Sequence, residues 1–306
     1  MTISVSVVTT TYNSAAYIQR SIQAVLSQEA KGLSIDYILS DDGSSDSTLS
    51  VIRDTLLSAP FQTRIIEHPK NIGVVQNFFN AVHGAAGQYL AICDSDDVWL
   101  DRQKLVKQVE FMESHPQCVL SYHATVEVNA AEAPMVTNEN LPAPSLLKNP
   151  HTSTLMVRRE AIEFPWPLIE KMTRMNDQLL RFLVSRKGKF EFIGSIHPTL
   201  RVVREQSVFA SPRSELDRRR SSLHNWTLIR DHFSQGPERR YLAQKVSGFQ
   251  SAVNWLEYEA SPSVKRWADA AWFDVKSGTA VRRAGRRCRG ALARTLKSLR
   301  APGDSR

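Results

Sequence analysis

No stretch of this 306-residue chain approaches the roughly 18 consecutive apolar residues that a membrane-crossing helix needs, so an integral membrane protein is not expected. No basic region precedes the first apolar run, Val5-Ser6-Val7-Val8, which flows directly into a strand pattern. The expectation is therefore no secretory leader and a cytoplasmic address. Cysteine is scarce: Cys93, Cys118 and Cys288 stand alone, with no pair at metal-ligand spacing. That argues against a zinc site and against a disulfide framework, leaving them as packing residues. Acid is absent where base is densest, because Arg282 to Arg300 holds eight Lys or Arg and no Asp or Glu. Much of the formal charge of +8 thus belongs to a tail, not to a substrate groove. Aromatics do not interleave with these basic residues in any nucleic-acid module, so no nucleic-acid partner is expected.

What is present has a clear order. The first hundred residues alternate short β-branched runs with amphipathic stretches, the pattern of a mostly parallel sheet flanked by helices. Strands are predicted over 5–8, 36–40, 63–67 and 88–92, and helices over 15–28, 47–57, 76–83 and 103–114. A longer strand is predicted over Cys118–Val128. Pro134, Pro142, Pro144 and Pro150 fall among small and polar residues, so Ala130–Pro150 reads as a loop or lid. Order resumes at Thr152–Val157, with a helix over Asp177–Ser185 and an extended segment over Ile196–Val203. Beyond Ser214 the pattern is helical. The length suits one catalytic domain with an appendage.

Each turn that could carry chemistry follows the carboxyl end of a strand, where ligands bind in open α/β sheets. The most informative is Cys93-Asp94-Ser95-Asp96-Asp97. Carboxylates this dense repel one another unless a cation or a hydrogen-bonding ligand offsets them. An acidic surface turn is the plainer alternative.

Four segments in order, Val5 to Asn13, Leu39-Ser40-Asp41-Asp42-Gly43-Ser44, Asn71-Ile72-Gly73 and Asp94-Ser95-Asp96-Asp97, resemble family 2 glycosyltransferases of the GT-A type, the group that includes bacterial polysaccharide and lipopolysaccharide transferases. The resemblance is close over residues 3 to about 115 and moderate to about 210. It implies an α/β, Rossmann-like fold with a mostly parallel sheet and a helical C-terminal extension. The catalytic domain would span 1–210, with 1–115 the nucleotide-sugar and metal half and 116–210 the acceptor half. Residues 211–306 would form the helical region with its basic tail.

The same resemblance implies site roles. Thr10 and Tyr12 would lie against base and ribose, where an aromatic ring can stack. Asp41 would read the base and Asp94 the ribose, with Ser95 beside it. Asp96 would hold a divalent cation, Mn2+ or Mg2+, both of which favour oxygen ligands. Asp97 would join that shell or hold the turn. Asp177, preceded by Asn176, would be the base that deprotonates the acceptor hydroxyl in an inverting reaction, unless the pair only caps a helix. Thr152, Ser153 and Thr154, with Asn176, would border the acceptor and sugar pocket, unless the three hydroxyl residues only begin a core strand. In the segment from Arg201 to Val208, Arg204 stands where relatives often carry His; a guanidinium binds diphosphate but cannot replace an imidazole ligand.

The expected partners are a nucleotide-diphosphate sugar and a glycan or lipid-linked acceptor. Val281 to Leu299 forms an apolar stripe among arginines, so it would lie on an anionic bilayer on the inner face of the plasma membrane, or pack on the body. Two other readings compete. A sugar nucleotidyltransferase wants a glycine-rich, basic phosphate loop, and Thr9-Thr10-Thr11-Tyr12-Asn13 has neither glycine nor Lys or Arg. A degenerate transferase would bind nucleotide or glycan only as a scaffold, against which stands the joint retention of Asp41, Asp94, Asp96 and Asp177.

Overall fold

The computed structural model describes residues 2–128, 134–137, 150–202, 212–260, 266, 269 and 270. Arg204, Cys288, the basic stretch Val281–Leu299 and most of the predicted lid lie outside them. The chain divides into two compact units, Met1–Ser207 and Val208–Arg306.

The first unit opens with β1 (Ile3–Thr11), α1 (Ile18–Leu26), β2 (Leu33–Asp41), α2 (Thr48–Leu56), β3 (Gln62–Glu67), α3 (Val74–His83) and β4 (Tyr89–Ile92). In α1, Ile18, Ile22 and Val25 recur at helical spacing, and all three are fully buried. Then come β5 (Asp97–Trp99), α4 (Lys104–Ser114), β6 (Cys118–Tyr122), β7 (Thr125–Val128) and β8 (Pro134–Thr137). A 3-10 turn over Thr152–Thr154 leads to β9 (Met156–Arg158), α5 (Trp166–Ile169), α6 (Asn176–Ser185), β10 (Lys189–Phe192) and β11 (Thr199–Val202).

The main sheet has seven strands in the order β10-β6-β9-β4-β1-β2-β3. Only β9 runs against its neighbours. Parallel pairing sets Thr11 beside Asp41 and Val8 beside Ile92. The carboxyl ends of β1, β2 and β4 therefore reach one edge, and their turns open on the same side. β4 is buried at all four positions, as a short apolar strand flanked on both sides must be.

A smaller sheet, β5-β11-β7-β8, corrects two expectations. The predicted strand Cys118–Val128 is two strands, β6 in the large sheet and β7 in the small one. The chain changes sheets at His123-Ala124, where the Tyr122 carbonyl bonds Ile193 and the Ala124 carbonyl bonds Thr199. Apolar residues continue through the switch, so periodicity does not mark it. Residues 134–137, expected to be loop, form β8 against β7. This is an edge strand, where the missing N–H of Pro134 is tolerated.

The second unit contains α7 (Pro212–His232) and α8 (Arg239–Ala260), which run antiparallel. Arg220 in the first half of α7 pairs with Glu257 near the end of α8 at 2.7 Å, and Trp226, further along α7, meets the ring of Tyr241 near the start of α8 edge-on at 6.2 Å. Among the described residues no helix is long and apolar enough to cross a membrane.

Candidate active site

The turn after β2 is welded to the segment before α3. Asp42, buried, accepts the Ile72 N–H at 2.7 Å and the Gly73 N–H at 3.1 Å. Gly43 has φ +71, and a Cβ there would lie 2.6 Å from the Lys70 carbonyl carbon. This contact explains why Asp42-Gly43 and Asn71-Ile72-Gly73 occur together: each completes the backbone of the other. Asp41 is fully buried, and its oxygens accept the Ser44 N–H at 2.8 Å and the Ser44 hydroxyl at 2.5 Å. Much of its hydrogen-bonding capacity is thus spent within the turn.

The turn after β1 joins this frame. Asn13 accepts the Ser45 N–H at 2.9 Å, and its own N–H donates to the Ser44 hydroxyl at 2.9 Å. Thr10 is part-exposed at the strand end. Tyr12 is 49% exposed, an aromatic face presented to solvent at the sheet edge. The Ser14 hydroxyl meets that of Ser95 at 3.1 Å, linking the first turn to the acidic one.

In the acidic turn the Asp97 N–H donates to the Asp94 carbonyl at 3.1 Å, and Ser21 of α1 donates to the Asp94 carbonyl at 2.9 Å. Ser153, fully buried, joins both ends of this turn. Its hydroxyl accepts the Asp94 N–H at 2.8 Å and donates to the Asp97 carboxylate. Trp99 Nε1 donates to the Ser153 carbonyl at 2.7 Å, and Gln108 to the Thr154 carbonyl at 3.0 Å, holding the arm in place. The Thr154 hydroxyl is turned inward to the His151 carbonyl at 2.7 Å. Of the three hydroxyl residues expected beside the sugar, only Thr152 retains exposure.

His151 completes the group. Its Nδ1 is buried with no hydrogen-bond partner and lies 3.4 Å from the Asp97 carboxylate. Antiparallel pairing of β5 with β11 sets Arg201 beside Asp97, and Arg201 also pairs with Glu127 at 2.7 Å. The electrostatics follow from this crowding. Desolvation, then the charges of Asp96 and Asp177, push the Asp94 carboxyl up to about 7, against the pull of Arg201 and Ser153. Desolvation and Asp94 raise Asp97 well above the carboxylate range. Desolvation, with Arg201 and Arg181, drives His151 down to about 3, so its ring is neutral.

Asp177 comes to this space from α6. Met175, at φ 71, is the N-cap residue and makes no side-chain cap bond. Asn176 and Asp177 thus lie inside the first turn, and the simple capping alternative is not what forms. Asp177 pairs with Arg181 at 2.8 Å, where the Arg181 side chain is only 7% exposed. A second nitrogen of Arg181 donates to the Pro150 carbonyl at 2.7 Å.

A divalent cation fits the donors on this edge. Ligand atoms of Asp94, Asp97 and His151 lie within 4.8 Å of one another, and an orphaned neutral imidazole nitrogen beside carboxylates suits a metal. Asp96, the expected ligand, is part-exposed on the same turn but outside that trio. Asp97 is the weakest of the three, because Ser153 already holds one of its oxygens. The sequence pattern alone does not single out His151, Arg201 or Arg181 as site residues. A histidine just before a Thr-Ser-Thr run was the one available signal; the others depend on strand register and helix phase.

Comparison with known proteins agrees with this architecture. The family model for glycosyl transferase family 2 matches residues 6–164, more than half of the 306 residues. The putative teichuronic acid biosynthesis glycosyltransferase TuaG of Bacillus subtilis is 33% identical over 119 residues, 39% of this chain and 45% of TuaG. The chain spans 34–53% of the length of the curated relatives it first matches. Among solved structures, S. aureus TarS 1-349 in complex with UDP-GlcNAc has a TM-score of 0.62 at 20% identity, over 88% of this chain and 79% of that one. The mannosyltransferase PcManGT from Pyrobaculum calidifontis, in complex with GDP-Man and Mn2+, has a TM-score of 0.57 at 15% identity, over 97% and 87%. The chain belongs to glycosyl transferase family 2 and has the GT-A fold.

Proposed function

We propose that this protein transfers a sugar from a nucleotide-diphosphate sugar to a hydroxyl of a glycan or lipid-linked acceptor, with inversion, in the assembly of a surface polysaccharide. The observation that carries the reading is a run of contacts: Asp177 pairs with Arg181 at 2.8 Å, Arg181 donates to the Pro150 carbonyl at 2.7 Å, and the next residue, His151, lies 3.4 Å from the Asp97 carboxylate of the acidic turn. These contacts link the helix-borne carboxylate to the acidic turn, far apart in sequence, and support their acting together. The nucleotide sugars held by the structural neighbours support the donor class, and the name of TuaG supports a polysaccharide product.

In this account Tyr12 and Thr10 receive the base and ribose, with Asp41 at the base edge and Asp94 and Ser95 at the ribose. Asp177 accepts the proton of the acceptor hydroxyl as that oxygen bonds to the anomeric carbon. The bond from that carbon to the diphosphate breaks on the opposite face, and its electron pair leaves with the diphosphate. The cation, Mn2+ or Mg2+, would be held by residues drawn from Asp94, Asp96, Asp97 and His151. When bound it supplies Lewis-acid neutralisation of the departing charge.

The test is nucleoside diphosphate release from UDP-, GDP- and dTDP-sugars with Mn2+, using a crude lipid and glycan extract as acceptor. One donor class should turn over, and Asp177→Asn should lower the rate by about a hundredfold or more while nucleotide binding persists. Failure of every donor to turn over or bind would overturn the proposal.

A further inference from the structure

The buried guanidinium of Arg181 has partners on two chain segments, and both lead to the site. One nitrogen holds Asp177 at 2.8 Å. Another holds the carbonyl of Pro150 at 2.7 Å, the residue immediately before His151. An exposed pair at this helical spacing would contribute little. Here the side chain is 7% exposed, so the charge has lost most of its water and depends on both acceptors.

We infer that Arg181 is the positioning residue of the acceptor side, fixing Asp177 against the arm that carries His151 and Ser153. The inference rests on the reading of Asp177 as the base. With one carboxylate oxygen of Asp177 engaged by Arg181, the other is left to take the acceptor proton. The planar fork suits this bridge because its nitrogens point at two acceptors at once, which a single ammonium cannot reproduce. Displacement of a reacting group by about 1 Å is enough to lower a rate a hundredfold.

The experiment compares wild type with Arg181→Met, Arg181→Lys, Asp177→Asn and the double variant Arg181→Met/Asp177→Asn, on the donor panel and extract described above. Arg181→Met should lower kcat by about a hundredfold with donor KM changed less than threefold, and Arg181→Lys should recover part of the loss. In the Asp177→Asn background, Arg181→Met should have no further effect, because residues acting as one unit are not additive. A multiplicative double variant, a wild-type kcat in Arg181→Met, or a loss confined to donor KM would overturn the inference. Full activity in Asp177→Asn would instead sink the base assignment beneath it, so the two failures are distinct. Thermal melts accompany each variant; if Arg181→Met does not fold, Arg181→Lys carries the comparison, and unchanged kcat there refutes the bridge.

Discussion

Lys104 should make the fold less stable as pH falls from about 10 toward 7, and the size of that effect can be worked from its surroundings. The side chain is fully buried, and its Nζ hydrogen-bonds Gln108 at 2.6 Å. Burial lowers its pKa from 10.5 to about 7. Between those values the unfolded chain holds a proton that the folded one has lost, so stability rises with pH across this window. Below about pH 7 both states are charged and the full cost is present; above 10.5 it vanishes. The shift is worth about 5 kcal/mol. An opposing effect comes from the Trp99 ring, whose centre is 4.0 Å from Nζ. It favours the ammonium by roughly 2 kcal/mol in a desolvated site, leaving about 3 kcal/mol. Calorimetric melts of wild type and Lys104→Met from pH 6.5 to 10 isolate the residue, since other titrating groups cancel in the difference. The wild type should gain about 6–12 °C relative to the variant as pH rises. A constant difference, or one moving the other way, would refute the reasoning.

Gly43→Ala should destabilise by at least about 1–3 kcal/mol from its left-handed backbone alone, and by more because of the contact with Lys70. Gly73→Ala, at φ +97 with open space around it, should show only the conformational part in the same denaturant titration. Ser153→Ala strips a partner from both the Asp94 N–H and the Asp97 carboxylate; thermal melts should show a loss of about 2 kcal/mol or more. Mn2+ titration followed by electron paramagnetic resonance should show weaker binding in both Asp96→Ala and His151→Ala. If His151→Ala binds Mn2+ as the wild type does, the imidazole is not a ligand.

The turns of the first hundred residues are legible because they lie in consecutive strand-turn-helix units, where periodicity gives each strand end and the turn follows it. Asp41, Asp94 and Asp96 could be named without knowing which strand pairs with which. Arg201 could not, because its place beside Asp97 depends on β11 pairing with β5, and that pairing leaves no local pattern. The same limit hid the change of sheet at His123-Ala124. Ser153 stands out in sequence as a hydroxyl residue beside the expected pocket, but its full burial and its bonds to both the Asp94 N–H and the Asp97 carboxylate do not. Arg181 reads in sequence as an ordinary helix-surface cation; only its burial and its bond to the Pro150 carbonyl distinguish it.

The most direct test of the central claim is isothermal titration of UDP, GDP and dTDP, each with and without Mn2+, into the wild type and Asp96→Ala. The account predicts that one diphosphate binds in a Mn2+-dependent manner and that the metal dependence disappears in Asp96→Ala. Binding of no diphosphate under either condition would contradict it.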